Sequence, residues 1–467
     1  MALSRIWSAF IIVAIAVASI KYLSSNDYKS VYNDMIVGKS GDTIQIGKKN
    51  LTLLSPIIRD SIAKNPNYQE DRIHYNKKEG SEDVKIYRIQ SSDGVISTSK
   101  TAVDICIGLI GIMTLFMGFM SIAEKAGGIN FLSRLIQPFF SKLFPEIPKG
   151  HPSFGHMMLN FSANLLGLDN AATPFGLKAM ESLQTLNPNK DRASNAQIMF
   201  LCLHASGLTL IPVSIIAIRA SMKSATPTDI FLPCMIATFF ATMAAMVIVS
   251  FKQKINLLQP VVLAYLGGIS AIIALLVMFL VRLNKEELDD FSKLLSNGII
   301  LLIFLLIVLG GIYKKINIFD AFIEGAKEGF YTCVKIIPYL VGILIAISLL
   351  RTSGVFDIII DGMKYLANLS HLDTRFVDGL PTALIKPLSG SGARGMMVDT
   401  MQTFGPDSFQ GRLSAILQGS SDTTFYVIAV YFGAVSIRDT RYTVGAMLLA
   451  DLVGVITSIL LAYMFFG

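Results

Sequence analysis

The sequence predicts an all-α polytopic membrane protein built from two inverted repeats with re-entrant hairpins, plus a small α+β or β insert outside the membrane. Composition is the first reason: of 467 residues, 52% are hydrophobic and 16% charged, against roughly a quarter charged in soluble domains. Mean hydropathy is accordingly +0.57. Run length is the second, because several apolar stretches reach the ~20 residues that a bilayer crossing needs. The third is a pair of polar interruptions, GLDNAATPFG at 167–176 and PLSGSGARG at 387–395, at corresponding places in two similar halves.

The elements follow in order. RIWSAFIIVAIAVASI (5–20) is short for a span, and Arg5 and the small residues Ala16–Ser19 also suit a signal peptide. A retained anchor, residues 1–23, is expected because the second half carries a counterpart. Residues 24–98 form the one extended polar region, with β-prone pieces DTIQIGKKNLTLL and VKIYRIQSSDGVIS, and are expected as the insert. His74, alone among charges there, is expected to be a solvated surface residue. The first repeat, 99–255, holds apolar runs at 101–122, 196–218 and 230–251. A linking helix occupies 256–289, with its run at 261–281. The second repeat, 290–467, has runs at 294–312, 329–350, 413–435 and 443–466.

The halves share one plan. KSVYNDMIVGK (29–39) corresponds to INIFDAFIEGAKEG (316–329), and SIAEKAGGINFLSRLIQPF to SLLRTSGVFDIIIDGMKYL. An amphipathic stretch follows in each, then the interrupted segment. CLHASGLTLIP (202–212) then corresponds to LQGSSDTTFYV (417–427). Four crossings precede the linking helix, which makes five and so inverts the second copy. Nine crossings and two hairpins put the N-terminus in the cytoplasm, with 24–98 and the C-terminus outside a bacterial plasma (inner) membrane. Lys125, Arg134, Lys190, Arg192, Lys252, Lys254, Lys314 and Arg438 then fall inside, as the positive-inside bias requires.

Several function classes drop out. The net charge of +7 is scattered over short loops, so no nucleic-acid partner is expected. Cys106, Cys202, Cys234 and Cys333 each stand alone in an apolar run, which leaves neither a disulfide framework nor a metal site. H-E-x-x-H and nucleophile-elbow motifs are missing from the sequence, and GSGARG lacks the Gly-Lys-Ser/Thr of a P-loop. No catalytic residue, metal or cofactor is therefore expected, and the chain is not expected to be an enzyme.

Longer motifs carry a resemblance. GLIGIMTLFMGFMSIAEKAG, LFPEIPKGHPSFG, NLLGLDNAATPFGLKAMESLQTLNP and TPTDI resemble spore maturation protein A. IPYLVGILIAISLLRTSGVFD, PLSGSGARG and GPDSFQGRLSAILQGSSDTTFYVIAVYFGAVSIRDTRY resemble spore maturation protein B. The chain looks like a fusion of the two, covering nearly all of 1–254 and 290–467 apart from the insert. The resemblance implies two gate-domain repeats of the nucleoside-recognition group, whose members resemble pieces of concentrative nucleoside transporters and the membrane part of the bacterial ferrous iron transporter. One departure stands out: the B-type motif carries Arg before PLSGSG, where this chain has Lys386. The charge is kept, but bidentate recognition of a carboxylate or phosphate is lost.

Irregular backbone at membrane depth is tolerated only where protein or a water-filled cavity satisfies it, and inverted repeats with broken helices build transporter sites near the midplane. Asp169 and Asn170 can accept hydrogen bonds as N-cap residues do, Pro174 suits a first helical turn, and Ser389 or Ser391 can cap the second hairpin. Asn160, Asn164, Asp169, Asn170 and Thr173 are expected to face Lys386, Ser389, Ser391, Gln418, Asp422, Thr423 and Thr424 across one substrate-binding site. A carboxylate inside an apolar run is costly, so Asp422 is a pathway or ion-coupling candidate, or else half of a structural pair with Lys386 or Arg394. His204 matches Gln418 and suits either a satisfied core or a proton-linked role. His151 and His156 flank the hairpin entrance, and His371 lies in an outer loop. Transport or gating of a small polar solute, nucleoside-like or anionic, is the expected function. A non-transporting envelope scaffold that recruits partners through the insert is the alternative. The expected partners are the lipid bilayer and an unidentified small solute, with homo-oligomer formation left open.

Overall fold

The computed structural model describes residues 2–24, 29–38, 43–48, 69–70, 73–76, 85–89, 94–166, 169–207, 209, 211–369 and 373–467. α1 (Ala2–Ser24) is largely apolar, with Arg5 and Lys21 towards its ends, and is followed by the short α2 (Val31–Ile36). In the insert, β1 (Thr43–Lys48), β2 (Gln69–Glu70), β3 (Ile73–Asn76) and β4 (Lys85–Ile89) form one antiparallel sheet in the order β1-β4-β3-β2. The strand-prone pieces named from the sequence supply β1 and β4. His74 lies in β3, and its side chain, like residues 370–372 with His371, lies outside the described residues.

Two long helices form the spine, α3 (Val95–Lys125) and α12 (Ile318–Thr352). They run antiparallel, because Lys125 at the end of α3 pairs with Glu324 near the start of α12. Phe119 stacks on Phe304 at 4.0 Å and meets Phe322 edge-on at 5.8 Å. α1 lies along α12: Trp7 Nε1 donates to the Gly342 carbonyl (2.8 Å) and Lys21 Nζ to that of Ser353 (2.7 Å). Both spine helices end at a left-handed glycine, Gly127 (φ 82°) and Gly354 (φ 78°), a conformation that costs a residue with a Cβ. Each then turns into an amphipathic helix, α4 (Gly128–Leu143) or α13 (Val355–Leu369). These leave Phe131 and Leu135, or Ile358 and Leu366, exposed, as helices lying in a membrane interface do.

The first hairpin is α5 (Pro152–Leu165) and α6 (Asp169–Leu186). Pro174 sits inside α6, not in its first turn. That corrects the sequence expectation: the helix starts one turn earlier, at Asp169, and tolerates the missing N–H. The side chains of Asp169 and Asn170 lie outside the described residues. The second hairpin follows a 3-10 turn (Arg375–Gly379) and consists of α14 (Leu380–Ile385) and α15 (Gly390–Phe404). Of the two cap candidates, Ser389 is the N-cap, accepting from Gly392 N at 3.0 Å.

The runs at 196–218 and 413–435 are not continuous helices, which is the second correction. α7 (Asn195–Ala205) and α8 (Val213–Ser221) flank a break at 206–212, and α16 (Phe409–Gly419) and α17 (Thr424–Ala434) flank one at 420–423. Physical causes are local. Gly207 takes a left-handed φ of 65° and Pro212 precedes α8, while Ser, Asp and Thr side chains at 420–423 compete for backbone bonds. Asp422 Oδ1 indeed accepts from Thr423 N at 2.7 Å.

α9 (Phe231–Gln253) and α18 (Thr443–Phe466) complete the halves. α10 (Pro260–Leu280) and α11 (Lys285–Tyr313) lie between them. Among the described residues seven helices are long and apolar enough to cross a membrane: α1, α3, α9, α10, α11, α12 and α18. The broken pairs α7–α8 and α16–α17 join the loop groups at opposite ends of the molecule. At one end, residues 191–195 bond to residues 438–441; at the other, residues 219–229 bond to residues 406–412.

Candidate functional site

Two hairpins and two helix breaks enclose a cavity of about 400 Å3. Asn164, Ala172 and Thr173 line it from the first hairpin, and Lys386, Gly390 and Arg394 from the second. The first break adds His204, Gly207 and Thr209, the second Gln418, Ser421, Asp422 and Thr423. Thr332 and Tyr426 contribute from α12 and α17.

The breaks hold one another at the backbone. Asp422 N donates to the Ala205 carbonyl at 2.7 Å, and Phe425 N donates to that of Pro387 at 2.9 Å. The second bond ties the start of α17 to the tip of the second hairpin. A Cβ on Gly207 would sit 3.2 Å from the Ser421 carbonyl carbon, so the two breaks cross in near contact.

Polar side chains then sort into three groups. Lys386 is buried and its ammonium donates to the Gln418 carbonyl, which satisfies the charge through a backbone dipole. Gln418 Oε1 has no hydrogen-bond partner among the described residues while its residue lines the cavity. Asn160 is buried beneath the wall: its Nδ2 donates to the Ala172 carbonyl (2.7 Å) and its Oδ1 faces His204 Nδ1 (3.1 Å). Asn164 Nδ2 also reaches His204 Nδ1, at 2.8 Å. On its other side, His204 Nε2 stands 3.9 Å from Asp422 Oδ2, with the imidazole 4% and the carboxylate 48% exposed.

Of the ten residues singled out from the sequence whose side chains are described, six line the cavity: Asn164, Thr173, Lys386, Gln418, Asp422 and Thr423. Asn160 supports the wall from behind. Ser389 and Ser391 face each other at 3.3 Å in the cap of α15 rather than the cavity. Thr424 is turned away as well, and donates to Asp451 Oδ2 at 2.5 Å. Asp451, buried in the apolar α18, was missed by sequence reasoning, although a lone carboxylate within GAMLLADLVG is the same signal that marked Asp422. Tyr426, Thr209 and Thr332 were missed too, because single hydroxyls in apolar runs carry no signal. The four cysteines are buried and free. Among the described residues no group of His, Cys, Asp and Glu is arranged to hold a metal ion.

Comparison with known proteins adds an independent line. The Gate family, described as nucleoside recognition, matches this chain twice, over residues 106–222 and 333–438. Spore maturation protein A of Bacillus subtilis (strain 168) is 43% identical over 157 residues, which cover 34% of this chain and 80% of that protein. Spore maturation protein B of the same organism is 45% identical over 173 residues, covering 37% of this chain and 96% of that protein. No solved structure matches. Each matched Gate segment spans a hairpin and the broken crossing after it, the parts that enclose the cavity.

Proposed function

The chain belongs to the Gate, nucleoside-recognition family, and we propose that it is a membrane transporter or gate for a small polar solute rather than an enzyme. The observation that carries this is the cavity itself. Two hairpins and two broken crossings, one of each from either half, surround a polar space inside an otherwise apolar helix bundle. A bilayer cannot hydrate these groups, so they must solvate one another or a ligand. Gln418 Oε1, unsatisfied among the described residues, and the Asp422 carboxylate both ask for donors. Lys386 and Arg394 supply positive charge across the cavity. A solute with both donor and acceptor groups, nucleoside-like or a small polar anion, suits such walls.

The two halves act as inverted repeats in this proposal, with the N-terminus cytoplasmic and the sheet of residues 43–89 extracytoplasmic. Loop pairing supports it, since 191–195 meets 438–441 and 219–229 meets 406–412, as alternation through nine crossings requires. Reporter fusions at residues 60, 287 and 467 should all give outer-side signals; an inner signal at 287 removes the inversion.

Transport is tested by uptake into proteoliposomes holding the full chain, with a panel of nucleosides and small organic anions. Gln418→Leu together with Thr423→Val should cut uptake by about tenfold or more, the loss of roughly 1.4 kcal/mol in solute recognition, with an unchanged size-exclusion profile. Deleting residues 39–93 should leave uptake intact. The scaffold alternative, drawn from the spore-maturation names of the two relatives, predicts the reverse: no uptake of any solute, and an envelope defect on deleting the insert.

A further inference from the structure

We infer that His204 and Asp422 together form a proton-binding site in the wall of the cavity, with the exchangeable proton on His204 Nε2. This rests on the cavity being a solute pathway only for its use, not for its existence.

Asn160 decides the chemistry. An asparagine amide has a donating nitrogen and an accepting oxygen that exchange places on a flip. Here Nδ2 donates to the Ala172 carbonyl at 2.7 Å, and a carbonyl can only accept. Oδ1 is thereby pointed at His204 Nδ1, 3.1 Å away, and requires a hydrogen there. Asn164 lies at 2.8 Å from the same nitrogen; it makes no other side-chain hydrogen bond among the described residues, so its amide can turn to present oxygen. The neutral imidazole consequently carries its hydrogen on Nδ1 and leaves the Nε2 lone pair bare. That lone pair faces Asp422 Oδ2 at 3.9 Å, and the other carboxylate oxygen accepts from Thr423 N. Two acceptors facing each other across the cavity are favourable only with a proton or a donor between them. A proton delivered by hydronium from the aqueous phase binds the Nε2 lone pair, leaves water behind and produces an imidazolium beside a carboxylate. At 3.9 Å the two are within ion-pair range but beyond a direct hydrogen bond of about 3 Å, leaving room for a small approach on protonation.

Among the described residues, Asp422 is the one base that faces Nε2. α5 contributes the amides, α7 Phe200 and α17 the Tyr431 ring, 4.8 Å from the imidazole. Among the described residues, the charges and titratable groups around Asp422 are Lys386 of the second hairpin, Asp451 of α18 and Tyr431 of α17, and Tyr426 of α17 lines the same cavity. Arg394 faces the same cavity. The lysine ammonium is already engaged by the Gln418 carbonyl. With the proton off, the wall selects solute groups that donate; with it on, Nε2 itself donates. One proton therefore inverts what the wall recognises, which is the means by which a solute and a proton become coupled.

Nitrogen-15 NMR of the full chain in nanodiscs, with labelled histidine, reads the site directly. The sequence has five histidines, and the His204 signals are those lost in His204→Gln. Neutral His204 is expected as the Nδ1–H tautomer, becoming mixed in Asn160→Leu. Its titration midpoint is expected to fall by about one pH unit or more in Asp422→Asn, a tenfold loss of proton affinity. An Nε2–H tautomer in the wild-type protein overturns the proposal without any variant, and so does an unmoved midpoint in a folded Asp422→Asn. Since the readout uses no solute, a failure of transport leaves it standing, and its failure leaves the transport proposal standing.

Discussion

The two ends of the molecule are closed by loop contacts that correspond by position and differ in physics. At one end Arg219 is fully buried. Its Nη2 reaches Asp229 Oδ1 (2.8 Å) and Asp407 Oδ1 (3.0 Å), its Nη1 donates to the Pro406 carbonyl (2.6 Å), and Arg412 Nε donates to Asp229 Oδ2 (2.8 Å). Two cations and two carboxylates balance there, joining the two halves, with Arg219 and Asp229 buried and Arg412 and Asp407 at the edge, 21% and 32% exposed. At the other end the backbone does the joining: Arg438 N and Asp439 N both donate to the Asp191 carbonyl (2.9 and 3.0 Å), and Ala193 N donates to that of Asp439 (2.9 Å). The ion pair there, Arg192 with Asp439 at 3.0 Å, is 58% and 56% exposed. Buried charges are costly to separate, exposed pairs are nearly free to part. The difference teaches that separating the charges costs unequally at the two ends, least at the exposed Arg192–Asp439 pair.

The largest expected effect comes from Asp229. Asp229→Ala leaves Arg219 and Arg412 without their shared carboxylate inside the protein, a loss of about 3–5 kcal/mol for a broken buried pair. Asp439→Ala at the other end should cost under about 1 kcal/mol, since the backbone bonds remain. Thermal and chemical unfolding of both purified variants checks this, and equal losses would break the comparison.

A smaller effect separates the ends by pH. Burial alone raises the Asp407 carboxyl, but the Ser224 hydroxyl, the Ala225 N–H and then the Arg219 and Arg412 charges outweigh it and hold the group below the usual carboxylate range. A carboxyl whose folded pKa is depressed stabilises fully above its unfolded value and loses that stabilisation as pH falls through the folded one. Asp407→Asn should therefore be less stable than wild type at neutral pH. The gap should start to close near pH ~4, the ordinary aspartate value, and shrink further in more acid. A gap that widens in acid sinks the assignment.

The smallest effect is ionic. Arg192→Ala should cost a few tenths of a kcal/mol in low salt and nothing measurable near 1 M, where the Debye length is about 3 Å. Asp229→Ala should cost nearly the same in both, because Asp229 and Arg219 are buried away from salt.

Much of this molecule was visible before its contacts were. Both hairpin interruptions, the amphipathic α4 and α13 and the glycine bends show in local sequence, since lipid demands long apolar runs and punishes every polar break. The helix breaks at 206–212 and 420–423 were hidden, because Leu208, Leu210 and Ile211 and the apolar flanks of Asp422 keep the run hydrophobic while glycine, proline and hydroxyl side chains interrupt its backbone. TPTDI and GPDSF were recognised as motifs, but their aspartates carried no role until Arg219 was seen between them.

By itself, the sequence determined the polytopic membrane class, because that depends on run length and composition along the chain. Only the tertiary structure decided which polar groups share the cavity and which satisfy each other. Thr424 turns to Asp451, Lys386 to the Gln418 carbonyl and Asn160 to Ala172 and His204. A hydrogen bond acts over about 3 Å in space, and most of these partners lie tens of residues apart along the chain.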